Sequence, residues 1–195
     1  GIHAKSLRYK VDPGVRCLLG PKYALLRGEI VSGARNLKGR DRAAKNILVA
    51  LGGAAKSKNV KKVYAALCRL GQDNLRIKVA VKSKDMARLY RWADLLFSTA
   101  STSALEASLY GLTGVVCVVA DNQKKMADKF NENGIFLSIG WLNKAKPSAI
   151  CDTVQRLLDD GNLRSHMGKR AKALIDGKGP DRIIKEMRAV EHAYN

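Results

Sequence analysis

Trp92-Ala93-Asp94-Leu95-Leu96-Phe97-Ser98 leads, two residues later, into Ser101-Thr102-Ser103-Ala104-Leu105-Glu106 and then Ala107-Ser108-Leu109-Tyr110-Gly111-Leu112. The apolar run reads as a strand, the small residues as a turn, and the remainder as a helix with one acid a turn inside it. A turn of this kind leaves backbone N–H groups free at the positive end of a helix dipole, where a phosphate can sit. A carboxylate just behind that point can accept two hydrogen bonds from a ribose diol. The same residues also spell a capping box, with Thr102 or Ser103 as N-cap and Glu106 bonding back to it. Taken alone the segment favours the cap, so its neighbours decide.

Working outward, Asn46-Ile47-Leu48-Val49-Ala50-Leu51 is a buried strand that enters Gly52-Gly53-Ala54-Ala55, and a helix with Val60, Val63, Tyr64, Leu67 and Leu70 on one face follows, ending at Gly71. Leu75–Val81 alternates as a second strand, Lys84–Ala93 is a short helix, and Leu95–Ser98 is the third strand. Gly114–Val119 is mostly β-branched, as in a strand covered on both faces. Asp121-Asn122-Gln123 opens another helix, closed by Asn133-Gly134, and Ile135–Ile139 is the fifth strand. Helices are expected over Pro147–Asp159, over Leu163–Ile175 and after the loop Asp176-Gly177-Lys178-Gly179-Pro180. Upstream, Val15–Leu19 reads as a short strand, Lys22–Arg27 and on toward Ile30 as a turn of helix, and Ser32–Lys45 as a loop. Alternating strands and helices of these lengths predict a three-layer, Rossmann-like open parallel α/β sheet with helices on both faces.

In such sheets ligands bind beyond the carboxyl ends of the strands. Three loops of this chain meet there. Gly52 and Gly53 would let backbone amides approach a phosphate, although the spacing is neither a P-loop nor G-x-G-x-x-G. The opening segment is the second loop. The third carries Asn122 and Gln123, whose amides can bond sugar hydroxyls, with Asp121 or Asn122 as a helix cap being the plainer alternative. No nucleophile elbow, carboxylate pair or strand-end histidine accompanies them, so no catalytic residue is named, and His166 reads as a helix-surface residue.

Composition narrows the classes. Lys and Arg total 36 against 17 acids, a formal charge of +19, which favours anionic partners. Aromatic residues make up only 6% and do not interleave with the basic ones, so a nucleic-acid stacking platform is disfavoured, though the charge keeps polyanion binding open. No apolar run reaches the roughly eighteen residues of a membrane span, and no signal-peptide pattern is visible, so a cytoplasmic location is expected. Cys17, Cys68, Cys117 and Cys151 are scattered and read as small core hydrophobes, and no metal site is expected.

Leu18-Leu19-Gly20-Pro21-Lys22-Tyr23-Ala24-Leu25-Leu26-Arg27 resembles the hinge signature of the UDP-2,4-diacetamido-2,4,6-trideoxy-β-L-altropyranose hydrolases of pseudaminic acid biosynthesis and the related spore-coat polysaccharide proteins. The Gly52-Gly53 loop, Met86 with Ala93-Asp94-Leu95, the Ser101–Glu106 segment, Gly111-Leu112, Ala120-Asp121-Asn122-Gln123 and Asp176-Gly177-Lys178-Gly179-Pro180-Asp181-Arg182 follow in that family's order, over about residues 15–190. The family is similar to the two-domain GT-B glycosyltransferases, especially the enzyme that adds N-acetylglucosamine to the peptidoglycan lipid precursor.

The resemblance implies a metal-independent enzyme with no cofactor, a UDP-sugar as substrate, and one half of a GT-B fold. It implies that Glu106 holds the ribose and that Ser101, Thr102 and Ser103 face the pyrophosphate with Gly52 and Gly53. The backbone from Val81 to Met86 would lie against uracil, and Asn122 and Gln123 would touch the sugar. It divides the chain into a hinge or linker, 1–45, and a UDP-sugar-binding Rossmann-like domain, 46–195. The family's N-terminal domain, with its water-activating histidine, has no counterpart here, so a missing half is expected in cis or as a separate subunit. The family also has an extra strand–helix unit before Met86 and a hydroxyl-bearing residue where Ala54 stands. The close rival is the donor-binding half of a glycosyltransferase working with a partner, like the split N-acetylglucosaminyltransferase of dolichol-linked glycan assembly. A non-catalytic polyanion-binding module is the reading from another class.

Overall fold

The computed structural model describes residues 2, 4, 9–35, 37, 43–54, 57–81, 83 and 85–194, with backbone alone for 54, 57 and 192–194. The described strands are β1 (Asn46–Ala50), β2 (Arg76–Val79), β3 (Leu95–Thr99), β4 (Gly114–Val118) and β5 (Phe136–Trp141). They pair parallel in the order β2-β1-β3-β4-β5. The helices are α1 (Gly28–Gly33), α2 (Ser57–Cys68), α3 (Met86–Trp92), α4 (Thr102–Leu109), α5 (Asp121–Glu132), α6 (Pro147–Asp159), α7 (Gly161–Leu174) and α8 (Gly179–Tyr194). This is the expected three-layer α/β architecture.

The period-two geometry of the central strands builds both outer layers at once. Leu48, Ala50, Leu96, Val116 and Val118 pack with Ile30 of α1, Tyr90 of α3, Ala104 and Ala107 of α4, and Phe130 of α5. Their neighbours Ile47, Val49, Leu95, Phe97, Val115 and Cys117 pack on the other face with Val63 and Leu67 of α2 and with Ile150, Val154 and Leu157 of α6. β3 and β4 are buried throughout, whereas β2 alternates between exposed and half-buried, as an edge strand should. Asp94 fixes the entry to β1, its Oδ2 accepting the amides of Lys45 and Asn46, each at 3.0 Å. Gly114 lets β4 close on β3, because a Cβ there would lie 1.9 Å from the Leu96 carbonyl oxygen.

Several local expectations are corrected. Val15–Leu19 joins no strand of the sheet. The turn of helix expected from Lys22 to Arg27 and on toward Ile30 is split into a 3-10 turn at Pro21–Tyr23 and α1, which buries Ile30 fully. β2 is shorter than Leu75–Val81, because its pairing with β1 ends at Val79. β5 runs on to Trp141 through an irregularity in its register with β4. α7 starts at Gly161 because Asp160, which ends α6, also caps it through the Leu163 amide at 2.8 Å. Of the cysteines only Cys117 is fully buried, its thiol pushed up to about 12 by that burial, and Cys68 is exposed. His166 lies on the exposed surface of α7.

The segment read as hinge packs on the same core. Tyr110 donates to the Ile30 carbonyl at 2.9 Å, and Arg91 donates to that of Gly33 at 2.7 Å. The start of α8 lies against the 3-10 turn. A Cβ on Gly179 would sit 2.1 Å from the Ala24 carbonyl oxygen, and Arg182 donates to the Lys22 carbonyl at 2.9 Å. Arg182 also donates to Asp176, whose carboxyl is held down to about 2 by that guanidinium and by the Lys178 amide. Thus the decapeptide and the Asp-Gly-Lys-Gly loop, far apart in sequence, form one structural unit. Beside it Ile184, Met187 and Val190 of α8 stay exposed and, with Leu18, line an apolar groove of about 670 Å³. No helix of the described residues is long and apolar enough to cross a membrane.

Candidate functional site

The strand order reverses between β1 and β3: β2 lies to one side, β4 and β5 to the other. Loops leaving adjacent strands at such a point diverge and open a crevice. A cleft of about 430 Å³ lies there, lined by Leu51, Gly52 and Gly53 after β1, Thr99 and Ser101 after β3, Val119, Ala120, Asn122 and Gln123 after β4, and Asn59 of α2. Among the described residues the lining carries hydroxyls, carboxamides and backbone, and no ionisable side chain.

Gly52 takes φ +55°, a left-handed conformation that favours glycine. Gly53 does not, and a Cβ on it would meet nothing within 4 Å. Its missing side chain therefore leaves the cleft open rather than relieving a clash. At β3, Ser101 is the N-cap of α4 but makes no side-chain cap bond. Its Oγ instead accepts from Thr99 Oγ1 at 3.0 Å. The first intrahelical bonds run from the Ala104 and Leu105 amides to the Ser101 carbonyl. The Thr102 and Ser103 amides precede them with no acceptor among the described residues, which makes them free donors at a helix N-terminus. At α5 the cap expected from Asp121 or Asn122 is absent. Gln123 does a related job, its Oε1 accepting the Val119 amide at 3.0 Å. With its carbonyl turned to Val119, Gln123 has both N–H donors left to offer the cleft.

The expected capping box does not form. Glu106 turns away from the start of α4 and is 3% exposed. Its Oε1 accepts from Arg27 Nε at 2.9 Å, and its Oε2 from Arg27 Nη2 at 3.1 Å and Tyr90 Oη at 3.0 Å. The hydrogen bond to Glu106 raises the Arg27 pKa further, and burial beside that carboxylate raises the Tyr90 hydroxyl, so both remain donors. Arg27 Nη1 reaches Glu29 Oε1 as well, at 3.1 Å.

Of the residues singled out from sequence, Gly52, Gly53, Ser101, Asn122 and Gln123 therefore share one cleft. Thr102 and Ser103 stand at its edge as the first residues of α4, and Glu106 lies further along the same helix in the Arg27 cluster. Met86 is buried in the core at the start of α3, capped by Asp85, and does not line the cleft. The stretch Val81–Met86 lies partly outside the described residues. Sequence reasoning missed Asn59, Thr99, Arg27 and Tyr90. Thr99, a hydroxyl closing an apolar strand, and Arg27, the last residue of the decapeptide, were visible signals. Among the described residues no group of three or more His, Cys, Asp or Glu is placed to hold a metal.

No protein-family model matches the sequence. The spore coat polysaccharide biosynthesis protein SpsG of Bacillus subtilis (strain 168) is 25% identical over 201 residues, covering 90% of this chain and 59% of that protein. This chain thus spans little more than half of that relative's length. Among solved structures, MurG of Acinetobacter baumannii superposes with a TM-score of 0.59 at 19% identity, over 82% of this chain and 55% of MurG. The calicheamicin glycosyltransferase CalG4 gives 0.56 at 19% identity, over 78% and 43%. The spinosyn rhamnosyltransferase SpnG complexed with thymidine diphosphate gives 0.55 at 13%, over 74% and 46%. The chain therefore has the fold of one half of a GT-B glycosyltransferase.

Proposed function

We propose that the chain is the donor-binding half of a GT-B-type enzyme that uses a UDP-sugar in surface-polysaccharide biosynthesis. The observation that carries this is the cleft at the β1/β3 switch point. Glycine backbone lines it, the free amides of Thr102 and Ser103 stand at its edge, and among the described residues no acidic side chain lines it to repel a diphosphate. The diphosphate would rest on the start of α4 between Gly53 and Ser101. The ribose would run along α4 towards Glu106, and Asn122 with Gln123 would donate to sugar oxygens. No cofactor or metal is invoked, since helix N-termini supply the compensating positive charge.

The resemblance of the decapeptide motif supports the hydrolysis of a UDP-sugar, as in nonulosonic acid biosynthesis, and the spore-coat relative supports a role in polysaccharide biosynthesis. The likeness of the fold to glycosyltransferases supports the second reading, a donor-binding domain or subunit of a transferase. In either case the described cleft lining has no general base, so the reacting group would come from a second half, in keeping with the greater length of the relatives.

Calorimetry with UDP tests the reading. The wild-type chain should bind, and Glu106→Ala should bind at least about tenfold more weakly, as for loss of a charge-assisted hydrogen bond of roughly 1.5–3 kcal/mol. No heat at millimolar UDP would sink the proposal. Salt-sensitive binding to any polyanion in its place would favour the module read from net charge. Turnover of a UDP-sugar by this chain alone would overturn the need for a second half.

A further inference from the structure

Glu106 is the residue of the proposed nucleotide site whose acceptor directions are already mostly taken. A carboxylate offers about four of them. Arg27 takes one on each oxygen, and Tyr90, whose hydroxyl at 3.0 Å from Oε2 also lies 3.2 Å from the Ser103 carbonyl, takes a second on Oε2. A vicinal diol donating once to each oxygen therefore has room at Oε1 and none at Oε2. Tyr90 is fully buried and fixed, whereas the Arg27 side chain is 48% exposed. Arg27 is thus the partner that can leave, and an acceptor already waits for it: Glu29 Oε1 lies 3.1 Å from Nη1, on a side chain 57% exposed.

We propose that Arg27 is a positioning residue that holds Glu106 in the empty protein and exchanges onto Glu29 when a ribose diol takes its place. This rests on the reading of Glu106 as the ribose-binding acid. The exchange does two things. It keeps a buried carboxylate compensated while no ligand is present, since an unpaired one would be strongly destabilising. It also makes displacement conditional on two hydroxyls at diol spacing, because a single donor can be accommodated at Oε1 without moving Arg27. Because only the diol bears the cost of moving Arg27, the preference for ribose over deoxyribose is smaller than Glu106 alone would express. The cost is affinity for the diol, whose binding first breaks a forked ion pair.

The test compares UDP with 2′-deoxy-UDP by calorimetry on the wild type and on Arg27→Gln, Glu29→Gln, Glu106→Gln and the double variant Arg27→Gln/Glu106→Gln. Melting curves confirm that each is folded. Arg27→Gln should bind UDP roughly tenfold more tightly, since no ion pair has to open, and should bind the deoxynucleotide as the wild type does. That gain should vanish in the double variant. Glu29→Gln, at an exposed position, should bind UDP more weakly and leave the deoxynucleotide unchanged. If Arg27→Gln does not fold, Glu29→Gln decides alone, and an unaltered UDP preference there overturns the exchange. If Glu106→Gln weakens UDP but Arg27→Gln weakens it too, the exchange is wrong and the ribose reading survives. If Glu106→Gln binds UDP as the wild type does, both fall together.

Discussion

The start of α4 and its middle are treated in opposite ways. At the start, the Thr102 and Ser103 amides are left without acceptors and Ser101 spends its hydroxyl on Thr99 instead of the cap. One turn on, Glu106 carries three donors within a buried pocket. Unsatisfied donors at a cleft mark a place where a ligand completes the structure at no cost in existing bonds. An acceptor whose directions are mostly taken marks a place where a ligand must compete. One helix thus carries an additive subsite and an exchange subsite, and the two respond differently to mutation.

The sharpest way to break the comparison is to fill the additive subsite. Gly53→Val should abolish nucleotide binding, because its side chain enters the cleft. It should leave the urea midpoint within about 0.5 kcal/mol of wild type, because nothing lies within 4 Å of that Cβ and φ is not left-handed. Parallel loss of stability would show that Gly53 serves the fold instead. Next in size, Arg27→Ala attacks the exchange subsite. It strands a buried carboxylate with Tyr90 alone, and urea unfolding should show a loss of about 2 kcal/mol, below the full figure for a buried pair because Arg27 is half exposed. A neutral result would remove the contrast between the two ends of α4.

The smallest effect serves as a control on an ion pair outside α4. Asp176 has a carboxyl pKa lowered from 3.8 to about 2, so its stabilisation is complete above pH 4 and disappears as pH falls through 2. Asp176→Asn should flatten that part of the melting-temperature profile by no more than a degree or two, the side chain being 40% exposed. An effect as large as that of Arg27→Ala would show that exposure is not what separates the two pairs.

The sheet and the three cleft loops were legible because they are written locally. β1, β3 and β4 each contain a run of three or four apolar residues and are followed within a few residues by small or amide residues. The ends of elements were less legible, since β2 stops where its only partner stops and α7 starts where Asp160 can cap it. The environment of Glu106 was not legible. Arg27 lies 79 residues away and Tyr90 sixteen, and no periodicity links them. The local grammar of S/T-x-x-E read that acid as a cap, and the tertiary contact with a guanidinium outcompeted it. Asn59 was hidden for a similar reason, since only the packing of α2 beside the switch point brings it to the cleft.

Arg182 and the Lys22 carbonyl lie 160 residues apart in sequence and one hydrogen bond apart in space. Gly179 is pressed against Ala24 beside them. Mechanically, this pair is a buckle. Tension entering through the decapeptide and leaving through α8 is borne by that contact before it reaches any strand. A pull between these two points should open the buckle first and leave the parallel sheet, with the cleft at its switch point, intact until a higher load.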